Sequence, residues 1–229
     1  YFFSLKLFFM ICHTMQKNFF ISIIIPVYNN EKYIGRCLRS LKNQSISKSL
    51  FEIIIVDDFS DDNSLNEIKK QKTSQVRIIK NKQNIGLPKS LNVGIRAAKG
   101  SFIVRVDSDD WVQEDFLNIM STFLFINKKL DAVACDYTIA DDKENSLKIE
   151  NCLNKPIGCG IMFRMQHLLD IGLYNEKFAY AEEEELRNKF TKKFSITRIP
   201  LSLYRYRKHQ NNRSKNTKLV KKFSKKVRT

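Results

Sequence analysis

The chain has 229 residues, 43% of them hydrophobic and 28% charged, with a formal net charge of +16 at pH 7. This is enough chain for one well-buried α/β domain plus tails, and the composition excludes wholesale disorder. The five cysteines, Cys12, Cys37, Cys135, Cys152 and Cys159, are odd in number and lack CxxC spacing, which argues against a disulfide framework and a zinc site.

Residues 1–12 are apolar with Lys6 among them, too short a stretch to span a bilayer. They read as a signal-peptide-like core, an interfacial anchor, or translated sequence ahead of a start at Met10 or Met15, the last being preferred. Residues 1–18 are therefore set apart as an N-terminal extension. No later stretch reaches ~18–20 uninterrupted apolar residues, so no transmembrane helix is expected. The runs 22–25, 52–56 and 102–106, short and rich in Ile and Val, predict buried parallel strands. Ile34, Cys37, Leu38 and Leu41 place one apolar face on a helix over 31–44. Asp61, Asp62, Asn63 and Ser64 offer N-caps to a short helix carrying Leu65 and Ile68. A strand over 76–79 follows. Pro88 then opens a helix carrying Leu91 and Ile95, and Gly100 is its C′ stop. Phe116, Leu117, Met120, Phe123 and Leu124 form the strongest helical face. Beyond it the pattern predicts a strand over 132–139, a variable loop over 140–155, and a strand or loop over 156–163. In the last of these, Gly158 and Gly160 mark a close backbone approach. A helix over 182–190 and a final strand over 195–199 complete the series. The alternation predicts an α/β class, with a doubly wound, mostly parallel sheet and flanking helices. One domain, 19–205, is followed by a basic tail, 206–229.

Three predicted strands run into polar or acidic segments: Pro26-Val27-Tyr28-Asn29, Asp57-Asp58 and Asp107-Ser108-Asp109-Asp110. Ligands of an open α/β sheet bind outside the carboxyl ends of its strands, so these segments share a rim. Carboxylates gathered there repel unless a cation or a hydrogen-bonding ligand lies between them. A nucleotide base needs a flat wall, which Tyr28 offers, and an acceptor for its ring N–H, which the Asp57-Asp58 pair offers. A departing diphosphate needs a hard cation held by carboxylate oxygens, as Asp107 and Asp109 can provide. Asp110 is a rival ligand, but reads first as the cap of a helix beginning near Val112.

The segments 22–29, 54–62, 84–94, 106–110, 181–186 and 204–209 resemble, in order, the motifs of a family 2 glycosyltransferase. The resemblance implies a Rossmann-like GT-A fold and inverting transfer from a nucleotide-sugar donor, with UDP preferred. It makes the chain a hexosyl- or N-acetylhexosaminyltransferase. It assigns Pro26, Tyr28, Asp58, Lys89, Asp107 and Arg207 to the donor. Asp109, Asp107 and His209 go to Mn²⁺ or Mg²⁺. The catalytic base falls on Glu183, with Glu182 second, where the family carries Asp. Leu91 stands where many relatives have Arg, and Lys89 is the substitute donor contact. Gly158, Cys159, Gly160 and Asp136 fall on the sugar and acceptor side. The implied acceptor is a glycan or lipid-linked molecule of surface polysaccharide synthesis, such as capsule or lipopolysaccharide. The basic tail fits a cytoplasmic protein held peripherally at the anionic inner face of a membrane. Competing readings are a nucleotidyltransferase, which lacks its Gly-rich basic loop here, and a basic nucleic-acid-binding protein, which the acidic rim disfavours. A degenerate transferase that binds nucleotide without turnover is a further reading, prompted by the Glu in place of Asp.

Overall fold

The computed structural model describes residues 20–227, and the expectations for residues 1–18 lie outside the described residues. Its first half alternates strand and helix: β1 (Ile21–Val27), α1 (Ile34–Lys42), β2 (Phe51–Asp57), α2 (Ser64–Lys70), β3 (Val76–Lys80), α3 (Leu87–Ala97) and β4 (Phe102–Arg105). The second half follows as β5 (Trp111–Val112), α4 (Phe116–Ile126), β6 (Ala132–Ala140), β7 (Ser146–Glu150) and β8 (Ile161–Arg164). After these come α5 (Met165–Asp170), α6 (Glu182–Thr191), β9 (Ile196–Arg207) and α7 (Thr217–Val227).

One sheet runs in the order β3-β2-β1-β4-β8-β6-β9-β5, with β7 paired to β6. The four strands from β3 to β4 are parallel. β8 joins antiparallel to both β4 and β6. The parallel half is the expected doubly wound arrangement, with helices on both faces. Ile21, Ile23, Ile25, Phe51, Ile53 and Ile55 pack with α1 and α4 on one face. Ile24, Ile54 and Val56 pack with Leu91 and Ile95 of α3 and with Leu186 and Phe190 of α6 on the other. The period of two along each strand produces this division, and burial on both faces requires the unbroken apolar runs.

Several local expectations need correction. Gly100 is not a helix stop: α3 ends at Ala97 with Ala98 as its cap. A Cβ at Gly100 would lie 2.5 Å from the Ser22 nitrogen, so glycine is required by the approach of β1. Residues 140–155 are not simply a loop. They contain β7, whose exposed side chains hid a hairpin with β6 held by backbone pairing. No helix begins near Val112. Trp111 and Val112 form β5 against β9, and α4 starts at Phe116. The last strand is much longer than 195–199, because β9 runs through Arg207. Its register with β6 shifts between Cys135 and Tyr137. Pro200 lies in this irregular stretch, where a missing N–H is tolerated. The bend carries β9 to the carboxyl ends of the parallel strands.

Candidate active site

A cleft of about 1320 Å³ opens at those carboxyl ends. The loops after β1 and β2 form one wall and interlock through hydrogen bonds. The Asn29 amide nitrogen Nδ2 donates to Asp61 at 2.6 Å, and the Asp61 N–H returns a bond to Asn29 Oδ1 at 3.0 Å. Glu31 N–H donates to Asp62, and Asn63 N–H donates to Glu31. Asn29 adopts φ 50°, a left-handed conformation that asparagine tolerates better than most residues. This frame leaves Tyr28 half exposed on the cleft wall, beside Pro26.

Asp58 lies deeper and is buried. It accepts from the N–H groups of Ile85 and Gly86 and from Asn81 Nδ2, at 2.8–2.9 Å. It therefore pins the loop that opens α3 while lining the cleft. Asp57 does not line the cleft, and accepts from Ser60 N–H within its own turn. Asn84, Gly86, Leu87 and Ser90 line this side, whereas Lys89 is exposed and absent from the lining. Asn92 and Gly94 serve packing. Asn92 bonds the backbone of Tyr174 in both directions, and a Cβ on Gly94 would lie 2.6 Å from Ile24.

The acidic loop after β4 forms the floor, and its carboxylates divide. Asp107 is held by the Arg105 guanidinium, Nε to Oδ1 at 2.6 Å and Nη2 to Oδ2 at 3.1 Å. The same guanidinium reaches Glu182 Oε1 at 3.2 Å. Burial disfavours the charge on Arg105, but Asp107, Tyr174 and Glu182 outweigh it and lift its pKa. Arg105 is thus a buried clamp between the floor and α6. Its signal in the sequence is a charged residue at the end of an apolar strand, which the motif resemblance does not mark.

Asp110 is buried and accepts from Tyr204 Oη at 2.8 Å and from Arg207 N–H at 2.7 Å. It locks β9 onto the floor rather than capping a helix. Asp109 Oδ2 lies 2.8 Å from His209 Nε2, and Asn212 Nδ2 approaches the same oxygen at 3.4 Å. Arg207 does not line the cleft. It is buried, stacks over Trp111 and Tyr33, and bonds Asp109 O and Glu144. Lys208, the next residue, lines the cleft instead.

The opposite wall carries Gly158, Cys159, Glu182 and Glu183. Glu182 is buried and paired with Arg105. Glu183 is lifted to about 7, first by burial and then by the neighbouring Glu182 charge, with Arg105 opposing. A Cβ on Gly158 would lie 2.8 Å from Arg105 Nη1 and 3.0 Å from Glu183 Cβ, so any larger residue here must displace one of them. Gly160, at φ 70°, packs on the Tyr204 ring. Asp136 does not line the cleft. Its carboxylate takes both Arg198 Nε and Nη2 and the Cys152 N–H.

Two donor sets are available to a cation. Asp107, Asp110 and Cys159 bring ligand atoms within 4.8 Å of one another. They fit a hard ion poorly: Asp107 is committed to Arg105, and burial pushes the Cys159 thiol well up, so it stays neutral. Asp109 and His209 fit better. Their oxygen and nitrogen already share one contact in the cleft, and His209 Nδ1 is buried with no partner among the described residues. The Asp109 carboxylate suits Mn²⁺ or Mg²⁺, and an imidazole beside it favours the transition metal Mn²⁺ over Mg²⁺.

Comparison with known proteins accords with this geometry. Residues 22–173 match the family profile described as Glycosyl transferase family 2. The poly(ribitol-phosphate) beta-N-acetylglucosaminyltransferase TarS of Staphylococcus aureus is 37% identical over 105 residues, 45% of this chain and 18% of that protein. The crystal structure of S. aureus TarS 1–349 in complex with UDP-GlcNAc superposes with a TM-score of 0.74 at 24% identity, covering 86% of this chain and 61% of that one. The mannosyltransferase PcManGT from Pyrobaculum calidifontis, in complex with GDP-Man and Mn²⁺, gives 0.74 at 16% identity, covering 92% and 65%. This chain therefore spans less than a fifth of TarS and under two thirds of the crystallised fragment. The profile covers more than half of the residues and the sheet superposes on both structures, so the chain belongs to glycosyl transferase family 2 and has the GT-A fold.

Proposed function

We propose that the chain transfers a hexosyl or N-acetylhexosaminyl group from a UDP-sugar to a hydroxyl of a glycan or lipid-linked acceptor, with inversion. The observation that carries this reading is Glu183. It is a carboxylate with no salt bridge among the described residues, lifted to about 7, and it lines the same cleft as Tyr28, Asp58, Asp107 and Asp109. A general base is most effective when its pKa lies near the working pH. Glu182 is the weaker candidate because Arg105 holds it.

Tyr28 and Pro26 wall the base, and Asp58 accepts its ring N–H on the side left open by the Gly86 bond. Asp107, oriented by Arg105, faces the ribose. Asp109 and His209 would hold Mn²⁺ or Mg²⁺, which when bound neutralises charge on the departing diphosphate. Lys208 takes the place first given to Arg207 as a phosphate neighbour, since it reaches the cleft. Glu183 takes the proton of the acceptor hydroxyl as its oxygen attacks the anomeric carbon from the face opposite the diphosphate. A single direct displacement inverts that carbon.

We further place the protein on the cytoplasmic side, bound peripherally to an anionic leaflet in surface polysaccharide synthesis. Among the described residues no helix is long and apolar enough to cross a membrane. Support for the leaflet comes from α7, where Lys218, Lys221, Lys222, Lys225 and Lys226 are all exposed. Each contributes on the order of 1 kcal/mol near an anionic surface. UDP release from UDP-GlcNAc and UDP-glucose, with Mn²⁺ or with EDTA, tests the reading. No release with any nucleotide sugar, acceptor extract included, would sink it.

A further inference from the structure

The basic tail has a second feature that its charge conceals. α7 is amphipathic, with Leu219, Val220 and Phe223 half-buried and the lysines outward. The apolar side packs towards α6. Phe223 meets Phe178 edge-on, with ring centroids 6.2 Å apart, and Tyr180 at 6.1 Å. Ahead of α7, Arg213 lies 4.9 Å from the Tyr180 ring centroid and donates to the Ala179 carbonyl. Arg213 and Val220 also line the cleft.

What these contacts grip is the turn that launches the base. Ala181 has φ 58° and is the N-cap of α6, and Glu183 is two residues on. A left-handed alanine is sterically disfavoured and persists only where its surroundings over-determine it. No side chain caps α6. The aromatic and guanidinium contacts from the C-terminal segment are placed to supply a restraint on this turn.

We propose that Arg213 and Phe223 are positioning residues: together they strap segment 178–181 and thereby set where Glu183 stands in the cleft. This rests on the transferase reading for its kinetic consequence, though not for the contact itself. Loosening the strap moves Glu183 out of line with the acceptor and admits water to it. The charges facing Glu183 are Glu182 and Arg187 on its own helix and Arg105 from β4. These remain in a strap variant, so added solvation brings the carboxyl down from about 7 towards the ordinary range.

The test compares wild type with Phe223→Ala, Arg213→Ala and the ring-conserving Phe223→Tyr, using UDP release and hydrogen–deuterium exchange. The alanine variants should lose about tenfold in kcat with donor KM little changed, as misplacement of one reacting group produces. The midpoint of their acid limb should fall below the wild-type value. Amides of 178–185 should exchange faster, while those of the central strands do not. Phe223→Tyr should restore rate and protection. Unchanged exchange over 178–185 in both alanine variants overturns the strap whatever the activity. An unmoved midpoint and kcat in Phe223→Ala overturns its role in positioning Glu183. Full turnover in Glu183→Gln would instead remove the base assignment, and the exchange data would still decide whether the strap holds the turn.

Discussion

Replacing Glu183 with Gln keeps the side chain's shape and removes its ionisation. In the folded protein, burial and then the Glu182 charge lift this carboxyl from 4.5 to about 7. Near pH 7 roughly half the molecules would carry the basic form. At about 1.4 kcal/mol per pH unit, the ionised group costs the folded state about 3 kcal/mol relative to the unfolded chain. The sign follows from the direction of the shift. The folded pKa lies above the unfolded one, so stability is full below 4.5 and is lost as pH rises through about 7. Glu183→Gln does not titrate and should therefore gain on wild type across that window, by up to about 3 kcal/mol near pH 8 and little near pH 5. Urea unfolding at the two pH values reads this gap. The same variant should lose about 10²–10⁴ in kcat, and wild-type kcat should rise with pH through a midpoint near 7. A variant more stable and far less active is the signature of a base held in an unfavourable place. Retained kcat would refute the base, and a stability gap equal at both pH values would refute the buried-carboxylate account.

Asp109→Asn should abolish the response to Mn²⁺ along with turnover; isothermal titration with Mn²⁺ alone reads the first, and full wild-type activity in EDTA would remove the metal role. Arg105→Met leaves Asp107 and Glu182 without their shared cation, so it should destabilise by about 3–5 kcal/mol in thermal or urea unfolding. Because Arg105 lowers the Glu183 pKa, the acid limb of that variant should move up, and a downward movement would contradict the clamp. Gly158→Ala forces a methyl between Arg105 and Glu183, at a cost of about 1–3 kcal/mol, and should lower kcat more than donor affinity. Exchanging the five lysines of α7 for glutamine should release the protein from anionic vesicles in sedimentation at low salt; unaltered partitioning would reject the leaflet contact.

Local order along this chain was readable because apolar period and strand-end chemistry are local properties. The Ile and Val runs of β1, β2 and β4, the apolar face of α1 and the first-turn Pro88 needed no partner to be recognised. Tyr28, Asp107 and Asp109 could be singled out because each follows a strand that the period located, whereas Glu183, and Asp58 over Asp57, came only from the resemblance to the family's motifs. What the residue order could not supply was the pairing of distant side chains. Gly100 looked like a helix stop until β1 was seen against it, and β7 looked like loop because its side chains face water while its backbone carries the pairing. Arg207 and Lys208 are neighbours, yet the strand's alternation buries the first under Tyr33 and Trp111 and turns the second to the cleft. The four glutamates at 182–185 are chemically alike in sequence. Only the tertiary structure separates them, because Arg105, 77 residues earlier than Glu182, neutralises that one and leaves its partly buried neighbour with a raised pKa. Sequence alone determined which acids could meet at the rim. Burial and ion pairing, which depend on the whole fold, decided what each of them can do there.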